Sequence, residues 1–124
     1  MHPHEQADAA MRDATRAWLE KKLSGNDVRA WIAEDDGRAV GVAFLLVHEH
    51  PPRIRGRELR GYVTAVFVER EHRRRGHCGA MMKAIVEHGR TEGLRRLMLR
   101  PSKDGRSVYE SAGLSPMEVL AVDF

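Results

Sequence analysis

Several features of secreted and membrane proteins are missing from this sequence. Its one cysteine, Cys78, leaves no partner for an intrachain disulfide. No apolar run approaches the roughly 20 residues that a membrane-spanning helix needs. Residues 1–5 are polar and contain none of the apolar core of a signal peptide. These absences predict a cytoplasmic protein.

Common ligand-binding signatures are missing too. A P-loop needs Gly-Lys-Ser/Thr after its glycines, and no such triplet is present. A dinucleotide-binding fingerprint needs three glycines in G-x-G-x-x-G, whereas the glycine-containing loop here has only Gly76 and Gly79. The histidines are scattered without the spacing of zinc ligands: His48, His50, His72, His77 and His88. We therefore expect no metal.

Length and charge indicate the number of domains and the kinds of ligand that the protein could bind. A chain of 124 residues without internal repeats predicts one domain, residues 1–124, whose core needs no disulfide or metal support. The net charge of +3 is concentrated in a cluster of arginines: Arg53, Arg55, Arg57, Arg60, Arg70, Arg73, Arg74 and Arg75. Such a cluster can bind a polyphosphate ligand or a nucleic acid, or it can increase solubility. Composition alone does not distinguish these roles.

Hydrophobic periodicity predicts the order α-β-β-β-α-β-α-β. The expected helices are residues 5–23, 77–92 and 104–112, and the expected strands are residues 28–34, 39–48, 62–68, 94–99 and 117–124. Residues 49–61, rich in proline, glycine and arginine, are predicted to be a loop. This order predicts an α/β (α+β) domain with a mixed, mostly antiparallel sheet flanked by helices.

The segment with the clearest chemistry is residues 66–80, in which a strand leads through arginines and glycines into a helix. The first amides of a helix have no internal partners, and the helix dipole adds positive charge there. A glycine removes the side chain that would block an incoming phosphate. The segment therefore predicts a pyrophosphate site.

Two motifs resemble the GNAT superfamily of N-acetyltransferases. Arg73-Arg74-Arg75-Gly76-His77-Cys78 is similar to its motif A, Q/R-x-x-G-x-G/A, with the small residue Cys78 at the last position. Residues 107–114, SVYESAGL, resemble the family's LYExxGF segment. Cys78 is expected to be a small packing residue; a reactive thiol beside the ligand is the alternative, because a helix N-terminus and arginines lower a thiol pKa.

The resemblance covers residues 28–124, with residues 1–26 as an N-terminal helical segment. It implies a GNAT-like fold that lacks the family's usual first strand. Because losing an outer strand exposes a sheet edge, which invites pairing with another chain, we expect a homodimer.

The resemblance also implies site residues and a co-substrate, acetyl-CoA. The strand that carries Val66, Phe67 and Val68 would pair with the pantetheine arm. The pyrophosphate would be held by Arg73, Arg74, Arg75, Gly76, His77, Cys78 and Gly79. Tyr109 would protonate the departing thiolate of CoA, and Ser102 stands where many members have an asparagine that contacts the cofactor. Some relatives carry an acidic base where this chain has Leu97.

The expected activity is direct transfer of an acetyl group to a primary amine of a small molecule or peptide. Candidate bases are Glu34, Glu49 and Glu69, and the acceptor is not readable from the sequence. Two alternatives stay open: a non-catalytic acyl-CoA-binding or regulatory module, and a basic nucleic-acid-binding protein. The second is disfavoured because no zinc-finger spacing, RNA-recognition motif or basic zipper is present.

Overall fold

The computed structural model describes residues 3–54 and 56–124, with side chains from residue 10 onward; Arg55 lies outside the described residues. The elements are α1 (Pro3–Leu23), β1 (Val28–Asp35), β2 (Arg38–Arg53), β3 (Gly56–Val68), a short 3₁₀ helix (Arg70–His72), α2 (His77–Glu92), β4 (Arg96–Leu99) and α3 (Arg106–Ser111). The four strands form one sheet in the order β1-β2-β3-β4. The first two pairings are antiparallel and the β3–β4 pairing is parallel. The predicted mixed, mostly antiparallel sheet with helices is confirmed.

Helix α2 forms the core with the sheet. Its residues Met82 and Ile85 are fully buried and belong to one cluster with Ala43 and Leu45 of β2. The helix ends as predicted at Gly93, whose left-handed φ of 76° disfavours other residues. The packing of α2 fixes the position of its N-terminus, where the candidate phosphate site lies.

Helix α1 is confirmed, but its apolar stripe is not buried. Met11 is 69% exposed and Trp18 is 41% exposed, and the main contact of α1 is with β1. Among the described residues, no helix combines the length and apolar character that crossing a membrane requires.

The predicted loop at residues 49–61 is wrong, because β2 and β3 continue through it as a long hairpin. Gly56, with φ of 100°, supports the turn. Pro51 and Pro52 lack amide hydrogens, but they fall where the pairing register shifts between His50 and Arg53. On the other side of β2, pairing with β1 extends only to Leu46, so prolines beyond it break no ladder there.

The predicted strand at residues 117–124 is also wrong. Residues 114–124 form neither helix nor strand, and Leu120, Val122 and Phe124 are largely exposed. Strand composition does not make a strand without a neighbour, because a strand is stabilised by pairing and by burial of one face. Residues 114–117 and Val119 line a groove beside β4 together with Leu97, and they do not pair with that strand.

Candidate functional site

A cleft opens where β3 and β4 separate. Their parallel pairing ends at Val63 and Leu99. Just beyond, the register of β3 against β2 shifts, and Ala65 adopts a φ of 52°, which is rare for a residue with a side chain. Such a bulge bends a strand and redirects its backbone. The cleft has a volume of about 340 Å³ and is lined by Tyr62, Val63, Thr64, Ala65, Val66, Leu99, Arg100, Ser102 and Tyr109.

Tyr109 lies at this cleft on α3 and is only 7% exposed. Ser102 lines the same cleft, and Cys78 packs against the core cluster that contains Tyr109. Burial raises the pKa of Tyr109, the neighbouring thiol raises it further, and the contact with Ser102 partly opposes both. The phenol is therefore protonated at neutral pH and can donate a proton into the cleft.

The surroundings of Cys78 agree with the packing role expected for it and not with a reactive thiol. Burial raises the pKa of Cys78, and the hydrogen bond with Tyr109 only partly offsets this effect. The side chain packs against the core, which explains the burial. Cys78 is a neutral thiol beside the Tyr109 hydroxyl.

Ser102 and Gly105 hold Tyr109 in place. The Oγ atom of Ser102 accepts a hydrogen bond from the Gly105 amide at 3.1 Å, immediately before α3. A Cβ atom added to Gly105 would lie 2.8 Å from that Oγ and 2.9 Å from Cε2 of Tyr109. Gly105 has an ordinary φ of −89°, so the close approach, and not the backbone conformation, explains the glycine.

The loop before α2 has the geometry of an anion site. The first bond within the helix runs from the Ala80 amide to the Gly76 carbonyl at 3.0 Å, so the amides of His77, Cys78 and Gly79 precede the helical ladder. No side chain caps this end among the described residues. Gly76 and Arg74 both have left-handed φ values, of 85° and 63°. Alternation of such residues with right-handed ones turns successive amides toward one point.

The three loop arginines have different roles. Arg73 donates from Nε to the Val68 carbonyl at 2.9 Å and lies over the Phe67 ring, 5.7 Å from its centroid. Arg75 donates from Nη1 to Oδ2 of Asp35 at 3.2 Å. Within residues 10–54 and 56–124, only Arg74 of the three makes no side-chain hydrogen bond or ion pair. Two of the arginines therefore shape the loop, and one is free to meet an anion.

Asp35 joins the loop before α2 to the β1–β2 turn, and no sequence motif points to this residue. Besides Arg75, its Oδ2 lies 3.9 Å from Nε2 of both His72 and His77. Glu69 adds a second link through Arg38 at 3.3 Å. Asp35 is 40 residues from Arg75, so no local signal in the sequence could reveal the pair.

The remaining predicted residues lie in different surroundings. Val66 lines the cleft, Phe67 is 52% exposed, and the Val68 side chain is buried in the core. None of the candidate bases lines the cleft: Glu34 is exposed on β1, Glu49 pairs with Arg57, and Glu69 pairs with Arg38.

One group among the described residues has ligand atoms close enough for a metal ion. It comprises Glu69, Glu71 and His72, whose ligand atoms lie within 4.8 Å of one another. Because Glu69 is already paired with Arg38, this group carries no functional assignment.

Comparison with known proteins agrees with this geometry. The model of the Acetyltransferase (GNAT) family matches residues 2–114. Human N-acetyltransferase 8 is 27% identical over 106 residues, which cover 83% of this chain and 44% of that protein. The chain thus spans less than half the length of this relative.

Solved structures are similar over most of the chain. A GCN5-related N-acetyltransferase from Ralstonia eutropha JMP134 is 28% identical with a TM-score of 0.77, covering 94% of this chain and 77% of that one. A predicted acetyltransferase from Clostridium acetobutylicum, solved with acetyl-CoA, is 26% identical with a TM-score of 0.76, covering 90% and 73%.

The tight turn before α3 generates a stability prediction. Gly105→Ala should lower the free energy of unfolding by about 1–3 kcal/mol, because the new methyl group overlaps the Tyr109 ring and Ser102. Gly25→Ala is the control, since its Cβ would meet only the Lys22 carbonyl oxygen at 3.6 Å. Denaturant unfolding of both variants measures the difference. Equal stability of the two variants would contradict the close packing of the turn.

Proposed function

The chain belongs to the GNAT acetyltransferase family, and we propose that it is an acetyl-CoA-dependent N-acetyltransferase acting on a primary amine. One observation carries the proposal: the anion site at the N-terminus of α2 adjoins a cleft lined by a protonated phenol, because Cys78 in the first turn of α2 packs against the core cluster that contains Tyr109. A ligand with a pyrophosphate at one end and a thioester at the other fits both features.

Binding would begin at the loop before α2. The amides of His77, Cys78 and Gly79 and the side chain of Arg74 would hold the pyrophosphate. The pantetheine arm would enter the cleft, where the β3 backbone near Val66 no longer pairs with β4. Ser102 also lines this cleft, and its hydroxyl accepts from the Gly105 amide, so the same side chain that would contact the cofactor supports the turn before α3.

The proposed reaction is direct attack. A neutral amine forms a bond to the thioester carbonyl carbon, and an amide of β3 near Val66 stabilises the oxyanion. The carbon–sulfur bond then breaks, Tyr109 donates its proton to the sulfur, and free CoA leaves. The amine proton passes to water, since no carboxylate of the described residues lines the cleft, and Tyr109 regains its proton from water. Direct attack is favoured over an acyl-cysteine intermediate because burial raises the pKa of Cys78 and disfavours its thiolate.

The lack of a carboxylate among the described residues that line the cleft also favours a second candidate, a non-catalytic acyl-CoA-binding module. It predicts binding of acetyl-CoA without transfer to any amine. The nucleic-acid alternative is weakened because many of the arginines are already paired with carboxylates. Examples are Arg57 with Glu49 and Arg60 with Glu58.

The role of Tyr109 is tested by Tyr109→Phe, which keeps the ring and removes the proton donor. We expect kcat to fall by about 10²-fold or more while the Kd for acetyl-CoA stays unchanged. In the wild type, kcat should persist through neutral pH and fall only above the ordinary tyrosine pKa of 10.0, because burial raises this pKa and the acid acts only when protonated.

Mass spectrometry of the acetylated product is the suitable assay for these variants, since a thiol reagent would also react with Cys78. An unchanged kcat in Tyr109→Phe across the pH range would contradict the role as proton donor. Binding of acetyl-CoA without turnover of any amine by the wild type would favour the non-catalytic module.

The anion site is tested by Gly76→Asp, which should abolish binding of acetyl-CoA in a calorimetric titration. An aspartate there places a negative charge at the free amides and strains a left-handed position. Gly93→Asp is a matched control, because Gly93 lies at the opposite end of α2, also has a left-handed φ, and likewise has open space around a Cβ. Equal loss of binding in both variants would contradict the assignment of the site.

A further inference from the structure

Asp35 contacts the loop before α2 at three points. Its Oδ2 atom accepts a hydrogen bond from Nη1 of Arg75 at 3.2 Å and lies 3.9 Å from Nε2 of both His72 and His77. His72 ends the 3₁₀ helix, Arg75 lies within the loop, and His77 begins α2. A single carboxylate oxygen therefore contacts the start, the middle and the end of residues 72–77.

The side chains around this oxygen are mostly removed from water. The side chain of Asp35 is 32% exposed, and those of His72 and His77 are each 18% exposed. Nδ1 of His72 and Nε2 of His77 are buried and have no hydrogen-bond partner among the described residues. A second carboxylate, that of Glu69, lies 3.7 Å from Nδ1 of His72 and is itself paired with Arg38 of β2 at 3.3 Å. Polar side chains of the loop thus face the β1–β2 hairpin.

The β1–β2 hairpin is a rigid support for Asp35. Asp35 is the last residue of β1 and pairs with Arg38, and only Asp36 and Gly37 lie between them. Both turn residues are left-handed, with φ of 51° and 77°. This is the pattern of a type I′ turn, whose twist matches that of the flanking strands. The backbone of Asp35 is therefore fixed by strand pairing and by a tight turn.

The loop depends on such a support because of Arg74. Its φ is 63°, and a residue with a side chain keeps this left-handed conformation only where the surrounding contacts hold it there. Arg74 makes no side-chain hydrogen bond or ion pair among the described residues, so the contacts are those of its neighbours. Arg73 donates to the Val68 carbonyl, and Arg75 donates to Asp35. Without Asp35, one of these two anchors is lost.

We propose that Asp35 is a positioning residue for the binding of acetyl-CoA. It touches no atom of the ligand and sets the affinity by keeping the loop in the conformation that turns the free amides of α2 toward the pyrophosphate. The inference rests on the proposed function, because it concerns the same anion site. Asp35 is not among the residues that line the cleft with Tyr109, so it acts on binding and not on the chemical step.

Two effects of Asp35 on a bound anion oppose each other. Its negative charge repels the pyrophosphate, whereas its contacts preorganise the site. The repulsion is small, because Arg75 pairs with the carboxylate and because salt screens charges that are partly exposed. An unheld loop must instead be ordered by the ligand, and that cost is subtracted from the affinity. Removal of the carboxylate therefore weakens binding.

Calorimetric titration with acetyl-CoA tests the proposal. Asp35→Asn should raise the Kd by about tenfold, because the ligand must then hold the left-handed loop itself, while kcat at saturating acetyl-CoA stays unchanged. The variant should remain folded, since a partly exposed ion pair contributes little to stability. Asp35→Glu restores the carboxylate and should recover most of the affinity.

Asp36→Asn is the matched control. It removes the same charge from the adjacent residue, whose exposed carboxylate makes no ion pair among the described residues, and asparagine tolerates the left-handed φ of 51°. This variant should bind acetyl-CoA as the wild type does. NMR relaxation of the amides of residues 72–77 in the free protein should show increased motion in Asp35→Asn and none in Asp36→Asn.

A double-mutant cycle tests whether Asp35 acts through Arg75. Arg75→Gln should also raise the Kd, and the combination of Asp35→Asn with Arg75→Gln should bind no more weakly than Asp35→Asn alone, because both changes break the same contact. Fully additive effects would mean that Arg75 contacts the pyrophosphate itself, which would overturn the proposed route.

An unchanged or lower Kd in Asp35→Asn would overturn the proposal and leave the proposed function intact. Equal rises of the Kd in Asp35→Asn and Asp36→Asn would assign the effect to charge alone and would overturn it too, as would a loss of kcat at constant Kd. A wild type that does not bind acetyl-CoA would overturn the proposed function, and this role of Asp35 with it.

Discussion

The separation of β3 from β4 after Val63 and Leu99 determines where the rest of the site lies. Parallel strands that stayed paired would leave no opening between them, and the backbone amides near Val66 would bond to β4. The bulge at Ala65 redirects β3 and leaves these groups accessible. Tyr109 lines this opening, and Cys78 in the first turn of α2 packs against the core cluster that contains Tyr109.

The core holds this arrangement because it fixes α2. Met82 and Ile85 are fully buried against the sheet, so the helix cannot slide without breaking the core. The free amides at the N-terminus of α2 therefore keep a fixed position and direction. The loop before it is tied down at both ends, by Arg73 to the Val68 carbonyl and by Arg75 to Asp35. Preorganisation of this kind lowers the cost of binding, because few groups must be ordered when a ligand arrives.

The local parts of this account could be predicted from the sequence. The bounds of α2, its end at Gly93, the loop at Gly76 and the short helix that carries Tyr109 all depend on neighbouring residues, and the structure contains them. Backbone freedom, helix periodicity and capping act over a few residues. They can therefore be recognised without knowing the fold.

The long-range parts could not be predicted. Arg75 and Asp35 are 40 residues apart, and the different roles of Arg73, Arg74 and Arg75 follow from partners that only the fold brings near. The raised pKa of Cys78 depends on burial, which the loop motif does not reveal. Residues 117–124 have strand composition and form no strand, because strand pairing depends on which segments lie beside them.

The central claim is that the first amides of α2 bind the pyrophosphate of acetyl-CoA while the arm enters the cleft. Amide NMR spectra recorded during a titration with acetyl-CoA test it most directly. The account predicts that the largest shifts occur at His77, Cys78 and Gly79, with further shifts near Val66. Shifts confined to residues that line the groove beside β4, such as Leu97 and Leu114, would contradict it.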